Sequence, residues 1–589
     1  MKRLLASGVG ALCLGLCATT LAATALASAP GSPSQQDHAV VGAAAGPTVK
    51  WDWTMPAFMI DKKTWVPVND PASKYYVKGG YFIPGPDGMP DKKLEKIKGY
   101  GAAGPARYGL IPADDRFTVK LDARKSSGAG KLRCSWHIAS TPAVTRNNRN
   151  CSRRVAVRLP EGTHPLTLTV SDDRGTTVVD SKIVVKNVLI GITGDSIASG
   201  EGFPPFTKAG TGGELRTIDW DYGACHRSRW SGFVRGAQAV ENADSRSNVT
   251  LVDVACSGAQ ITKGNIVING QLRPGGGLLS PQQTTAADAP NALQPPQTDQ
   301  LRTIVGSRPL DQLLMSIGAN DIAIFSLLTS CLDTALQSGP DVNCYSAVPD
   351  WDARGRELWQ IANDQLAKLE GRFRKLAPCL GSDGGRSTCK TYKVTKQGTK
   401  ATKATVAKPV VLRAPGRLLE TPFAPDPTSK LDPSGAVVPC QFSPNSPANQ
   451  ISWSWAWDVV YEGVAGQPSP LPTQYSPPLD SPDPAVITPS ADGIVSQVRG
   501  NASAFGWTAV LNLVKQRNRG HGLCSADPWL YPAADATFAT NPSNEAAKAH
   551  PNDKGQAAYQ DIFGQRTARM NAVPVSRPRS ITRNGNGLG

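Results

Sequence analysis

Four short blocks of this 589-residue chain carry residue types that can do nucleophilic chemistry. The first is Gly194 Asp195 Ser196, which closes an apolar, β-branched run over 183–192. A serine there stands at the C-terminal edge of an expected buried strand, where open α/β sheets build their sites. Hydrolysis of an ester by such a hydroxyl needs a base to take its proton and donors aimed at the oxyanion. Each has a candidate. In Ala255 Cys256 Ser257 Gly258 Ala259, Gly258 lets the backbone approach a ligand and offer its N–H; in Gly318 Ala319 Asn320 Asp321, Asn320 offers a side-chain amide. Ala549 His550 Pro551 Asn552 Asp553 supplies an imidazole on a loop that opens the last expected helix. A Gly-Asp-Ser by itself is an ordinary turn, and it is the company of the other three that gives it meaning.

Gly194 Asp195 Ser196, Gly258, Gly318 Ala319 Asn320 Asp321 and His550 Pro551 Asn552 resemble, in order and spread, the four blocks of the GDSL or SGNH hydrolases. Further pieces are similar to the secreted actinobacterial esterases and lipases of that family: Ser199 Gly200 Glu201 Gly202, Cys225 His226 Arg227 Ser228, and His521 Gly522 Leu523 Cys524 with Asp527 Pro528 Trp529. The resemblance implies a three-layer α/β/α, flavodoxin-like domain with a parallel sheet and no metal or other cofactor. It implies Ser196 as nucleophile, His550 as general base and then acid, and an oxyanion hole made of the Ser196 N–H, the Gly258 N–H and the Asn320 side chain. Substrates would be carboxylic esters: lipid, acyl or sugar O-acyl. One position departs from the pattern. Family members often carry Asp three residues before the histidine, and here that position is Ala547. The Ala547 main-chain carbonyl is the expected orienting group, with Glu545 or Asp553 as the carboxylate alternatives.

The elements that must hold these residues read as two kinds of structure. Over 111–187, short alternating strands are expected at 117–121, 132–138, 154–159, 166–171 and 176–185, separated by turn residues such as Pro160 Glu161 Gly162 and Asp172 Asp173 Arg174 Gly175. The run 159–175 resembles the last strands of polycystic-kidney-disease-type, immunoglobulin-like modules, which implies a small all-β sandwich acting as a spacer. Over 188–570 the pattern becomes α/β, with strands expected at 188–193, 249–255, 311–317, 410–412 and 507–514 and helices at 231–242, 351–376 and 491–505. Insertions are expected near 381–408, rich in Lys and Thr, and near 421–486, rich in Pro and Ser with Trp453, Trp455 and Trp457.

Lys2 and Arg3 precede an alanine-rich apolar run over 4–26, so residues 1–27 read as a secretory signal and the protein is expected outside the cell, without a transmembrane segment. Residues 28–110 form a leader and an aromatic, Pro- and Gly-rich region without assignable structure, and 571–589 a basic tail. Of twelve cysteines, Cys13 and Cys17 leave with the signal. The other ten suit an oxidising compartment, and adjacency pairs Cys134 with Cys151, Cys225 with Cys256, Cys331 with Cys344, Cys379 with Cys389 and Cys440 with Cys524. No CxxC spacing of zinc type occurs. A net charge of +16 suits an anionic surface or polysaccharide as partner; nucleic acid is not expected, since no recognition motif is present. The competing function class is an adhesion or carbohydrate-binding protein with a vestigial hydrolase domain. The intact set of Ser196, Gly258, Asn320 and His550 disfavours it.

Overall fold

The computed structural model describes residues 46–56, 116–201, 225–228, 230–262, 265–268, 271–274, 276–283, 293–305, 309–322, 351–380, 389, 391–397, 400–407, 416–420, 429–439, 494–510, 513, 517–518, 520–522, 525–530 and 550–571. The chain is mixed α/β, with a three-stranded antiparallel sheet and an eight-stranded sheet that is antiparallel in its first part and parallel in its second.

Strands β1 (Asp52–Thr54), β2 (Arg116–Asp122), β3 (Arg133–Ile138), β4 (Val144–Asn150), β5 (Val155–Pro160), β6 (Gly162–Ser171) and β7 (Thr176–Gly194) come first. β1, β2 and β5 pair antiparallel in one sheet, and β4, β3, β6 and the first half of β7 in another. Alternation decides the faces: Phe117, Val119 and Leu121 from β2 share one core with Trp136, Ile138, Leu166, Leu168 and Val170. Cys134–Cys151 closes this layer as expected. The unassigned aromatic segment contributes here too. Trp51 lies edge-on to Trp136 with ring centroids 5.7 Å apart, and Trp53 and Met55 are in the same core.

The strands expected at 176–185 and 188–193 are one. β7 runs unbroken for 19 residues, antiparallel to β6 over its first half and parallel to its neighbours over its second. Lys186 and Asn187, which look like a polar break, are accommodated within the pairing, opposite Ser247 and Asn248.

Five strands then pair in parallel: β7, β8 (Ser247–Asp253), β9 (Gln312–Ser316), β10 (Gly416–Glu420) and β11 (Thr508–Ala509), in the order β8-β7-β9-β10-β11. The chain adds β8 on one side of β7 and the remaining three on the other, so the order reverses between β7 and β9. The strand expected at 410–412 lies outside the described residues, and β10 runs over Gly416–Glu420. Two expected insertions hold antiparallel hairpins: Thr391–Gln397 with Lys400–Ala407, and Ser429–Leu431 with Val437–Pro439. Trp453, Trp455 and Trp457 lie outside the described residues.

Helices are α1 (Ser196–Ser199), α2 (Gly232–Ala243), α3 (Gln297–Val305), α4 (Trp351–Cys379), α5 (Ile494–Phe505) and α6 (Asp553–Asn571). None of the described helices is long and apolar enough to cross a membrane. Ile190, Ile192, Leu251 and Leu314 pack in one cluster with Phe233, Ala237 and Val240 of α2 and with Tyr559, Ile562 and Phe563 of α6. Gly191, pointing the other way, faces Leu301 of α3 and Leu313. The α2–α6 contact is close because glycine permits it. Phe233 and Phe563 rings stand 4.2 Å apart, the Gly232 N–H donates to Gln556 Oε1 at 2.7 Å, and a Cβ on Gly232 would lie 2.4 Å from both the Gln556 carbonyl and the Tyr559 Cβ. Gly232→Ala must therefore push α6 off α2. A loss of about 1–3 kcal/mol of unfolding free energy is expected, the usual cost of overpacking a tight contact, and urea unfolding of the purified variant checks it.

Candidate active site

The site grows from the C-terminal ends of three neighbouring strands. β7 ends at Gly194, held in a left-handed conformation at φ 127°, where a Cβ would sit 2.0 Å from the Ser316 carbonyl oxygen. Only glycine tolerates both conditions. Gln297 brackets that residue: Gly194 N–H donates to its Oε1 at 2.7 Å and its Nε2 donates to the Gly194 carbonyl at 2.8 Å. The chain then turns into α1. Asp195 caps it by accepting the Ile197 N–H at 3.2 Å, and the Ser316 hydroxyl donates to the same oxygen at 3.1 Å. Burial raises the Asp195 carboxyl well above the ordinary range, with the Ser316 and Ile197 bonds opposing. Ser196, first residue of α1, is buried. Its carbonyl accepts the Ser199 hydroxyl at 3.0 Å and the Glu201 N–H at 2.9 Å.

The strand edges are tied to one another. Cys256 N–H donates to the Gly194 carbonyl at 3.0 Å and Asp195 N–H to the Ser316 carbonyl at 2.9 Å. Gly258 follows at φ 77° and is exposed. Asn320 opens a short 3₁₀ turn beyond β9, and its Nδ2 donates to the Ala259 carbonyl at 3.1 Å. Gln260 Nε2 returns a bond to the Asn320 carbonyl at 2.7 Å. The Gly258 and Asn320 loops thus bond directly to each other. An amide nitrogen carries two hydrogens, so Asn320 keeps a second donor while anchored by the first.

Beneath them lies a buried ion pair. Asp321 accepts the Ile261 N–H and the Arg372 guanidinium of α4, the latter at 3.0 Å. Burial pushes its carboxyl up to about 7 against the pull of Arg372. A carboxyl raised in the folded state holds its proton more tightly there than in the unfolded chain, and so costs stability as pH climbs from about 4 to about 7.

The loop carrying Cys225 is joined to the Gly258 loop by the expected Cys225–Cys256 disulfide and by Ser257 N–H donating to the Cys225 carbonyl at 3.1 Å. Cys379–Cys389 also forms, while the expected pairs Cys331–Cys344 and Cys440–Cys524 lie outside the described residues. His226 Nδ1 donates to Glu201 Oε1 at 2.8 Å. The Ser257 hydroxyl donates to Glu201 Oε2.

His550 is buried just before α6. Its loop is strapped to the segment 521–530: Leu530 bridges Pro551, Asn552 N–H donates to the Trp529 carbonyl at 2.9 Å and Asn552 Nδ2 to the Pro528 carbonyl at 2.7 Å. Trp529 is stacked on His521 with centroids 4.0 Å apart. Of the groups expected to orient His550, Ala547 and Glu545 lie outside the described residues. Asp553 is 64% exposed and accepts Arg235 at 3.1 Å. The carboxylate beside His550 is that of Glu201, with Oε2 3.8 Å from Nε2 and only 2% of the side chain exposed. Sequence reading passed over it. The signal was there in an acid set among small residues straight after the serine, Ser199 Gly200 Glu201 Gly202, where a charge has no evident solvent face.

The chain matches no protein family profile and no curated protein sequence. Among solved structures it is similar to an extracellular lipase from Streptomyces rimosus, at 17% identity and a TM-score of 0.32, over 64% of this chain and 99% of that one. It is also similar to a carbohydrate esterase whose active site displays divergent catalytic and non-catalytic binding functions, at 12% identity and a TM-score of 0.14 over 58% and 90% of the two chains. A carbohydrate acetylesterase from Xanthomonas citri gives 12% identity and a TM-score of 0.12 over 43% and 55%. TM-scores this low carry no functional argument, so the chemistry has to be read from the residues themselves. For the buried pair, Asp321→Asn should flatten the decline of unfolding free energy between about pH 4 and 7; urea titrations of both proteins at several pH values check the slope.

Proposed function

We propose that the chain is an exported serine ester hydrolase of the SGNH kind, its catalytic part a flavodoxin-like doubly wound domain and its preceding β layers an immunoglobulin-like spacer. The observation that carries this reading is the mutual hydrogen bonding of the Ser196, Gly258 and Asn320 loops beyond β7, β8 and β9, at the point where strand order reverses. Open α/β sheets bind ligands in that crevice. The order β8-β7-β9-β10-β11 is the one such doubly wound sheets use, and the signal-like N-terminus and the disulfides suit export.

In this reading Ser196 Oγ attacks the ester carbonyl carbon while its proton passes to His550. The carbonyl π electrons move onto oxygen, and the Ser196 N–H, Gly258 N–H and Asn320 Nδ2 receive the oxyanion. Collapse breaks the bond to the alkoxide, which leaves as alcohol with the proton from His550. Water then gives a proton to His550, attacks the acyl-serine, and releases the acid as the proton returns to Ser196. Gln297 and the Asn320–Ala259 bond act by keeping donors fixed before substrate arrives.

A chromogenic ester panel from acetyl to long acyl chains tests the reading. The wild type should turn over at least one member, Ser196→Ala should lose roughly 10⁴-fold or more of kcat, and Asn320→Ala about 10²–10³-fold. Unimpaired hydrolysis by Ser196→Ala would exclude this serine as nucleophile.

A further inference from the structure

The set Ser196, Gly258, Asn320 and His550 leaves one buried charge unexplained. Glu201 is 2% exposed and meets the loops that carry Ser196, Ser257, His226 and His550. Its N–H donates to the Ser196 carbonyl at 2.9 Å. Its Oε2 accepts the hydroxyl of Ser257, the residue before Gly258, and stands 3.8 Å from His550 Nε2. Its Oε1 is held by His226 Nδ1 at 2.8 Å. A carboxylate taken out of water is costly unless it is met on several sides. Here it is met by two imidazoles and a hydroxyl.

We propose that Glu201 is a positioning carboxylate of His550, acting through its charge on the Nε2 side, and that the same oxygen fixes the Gly258 loop through Ser257 while His226 braces the other. The inference rests on the ester-hydrolase reading for its consequence and on geometry for its substance. At 3.8 Å the His550 contact is too long for a hydrogen bond. It is an electrostatic one, which strengthens whenever His550 gains a proton. A proton arriving at Nε2 creates an imidazolium beside a carboxylate whose other partners are already in place, so no group has to reorganise as the charge forms. Despite burial, which opposes its charge, the His226 and His550 imidazoles and the bonds from His226 and Ser257 hold the Glu201 carboxyl below its ordinary value. It is therefore ionised wherever such an enzyme works.

The other charged groups on the packed elements are engaged elsewhere. Arg227 donates to the Ala255 and Val254 carbonyls, Arg235 pairs with Asp553, and Lys554 with Asp527. His521 bonds the Asp527 carbonyl through Nδ1 at 2.9 Å, and Asp195 faces Ser316. Glu201 and, behind it, His226 are the titratable groups facing His550 among the described residues.

The test follows the His550 imidazole by proton NMR across pH in the full exported chain, identified by its absence in His550→Gln, together with kcat and KM for the best ester of the panel. In Glu201→Gln the His550 titration should fall by roughly half a unit to one unit, because an attractive anion has gone. The acid limb of kcat/KM should move the same way, with kcat down about tenfold or more and KM little changed. Ser257→Ala keeps the carboxylate but strips a donor from the oxygen facing His550, so the titration and the acid limb should rise. A role confined to packing moves neither. An unmoved titration in both variants overturns the proposal, and Ser257→Ala alone decides if Glu201→Gln does not fold. If the wild type hydrolyses no ester, the function reading fails, and the NMR titration still settles whether Glu201 acts on His550.

Discussion

A negative charge buried at the meeting point of four loops constrains everything around it. Glu201 is shut off from solvent, so the fold meets it with groups from separate parts of the chain: hydrogen bonds from His226 in the loop before α2 and from Ser257 at the end of β8, and the nearby imidazole of His550 at the start of α6. Breaking any one contact leaves the charge less satisfied, which penalises loop arrangements that do not converge. The Cys225–Cys256 bond works in the same direction, since it fastens two of those loops whether or not the charge is present.

Neutral contacts complete the assembly where charge would be a liability. Gln297 holds both polar groups of Gly194, Gln260 holds the Asn320 carbonyl, Gln282 donates to the Ser257 carbonyl at 2.6 Å and Gln556 accepts from Gly232. Each satisfies buried backbone that would otherwise cost about 1–3 kcal/mol. A glutamine offers donor and acceptor at the end of a flexible stem, so it can bracket a turn without adding a titrating group beside the site. The result is a set of loops whose backbone is fixed by amides around the buried carboxylate of Glu201.

Much of this was readable before any coordinates. Strong apolar runs placed β7, β8 and β9 and helices α2, α4 and α5 to within a few residues, because burial on both faces writes an unmistakable pattern. Adjacency found the three cysteine pairs that fall among the described residues. What escaped has physical reasons. β4, with Val144 and Thr145 followed by Arg and Asn, lies at the sheet edge with one flank in water, so nothing in its composition announces a strand. β1 is three residues long and exists only because Trp53 and its neighbours complete a core contributed by distant strands. The break expected near 187 followed from two polar residues that pair within a continuous ladder. Glu201 escaped because the small residues beside it hint at burial without naming its partners, and the His550 that faces it lies 349 positions away.

The unbroken β7 has a mechanical meaning of its own. Where accessory and catalytic parts of exported proteins are joined by a supple tether, each explores space independently; here a single extended rod, 19 residues long, is woven into the antiparallel and the parallel parts of one sheet, and Met55 and Asp52 add rungs to Ser245 and Arg246 across the junction. The front layers are thus tied to the parallel strands by a continuous rod and not by a leash.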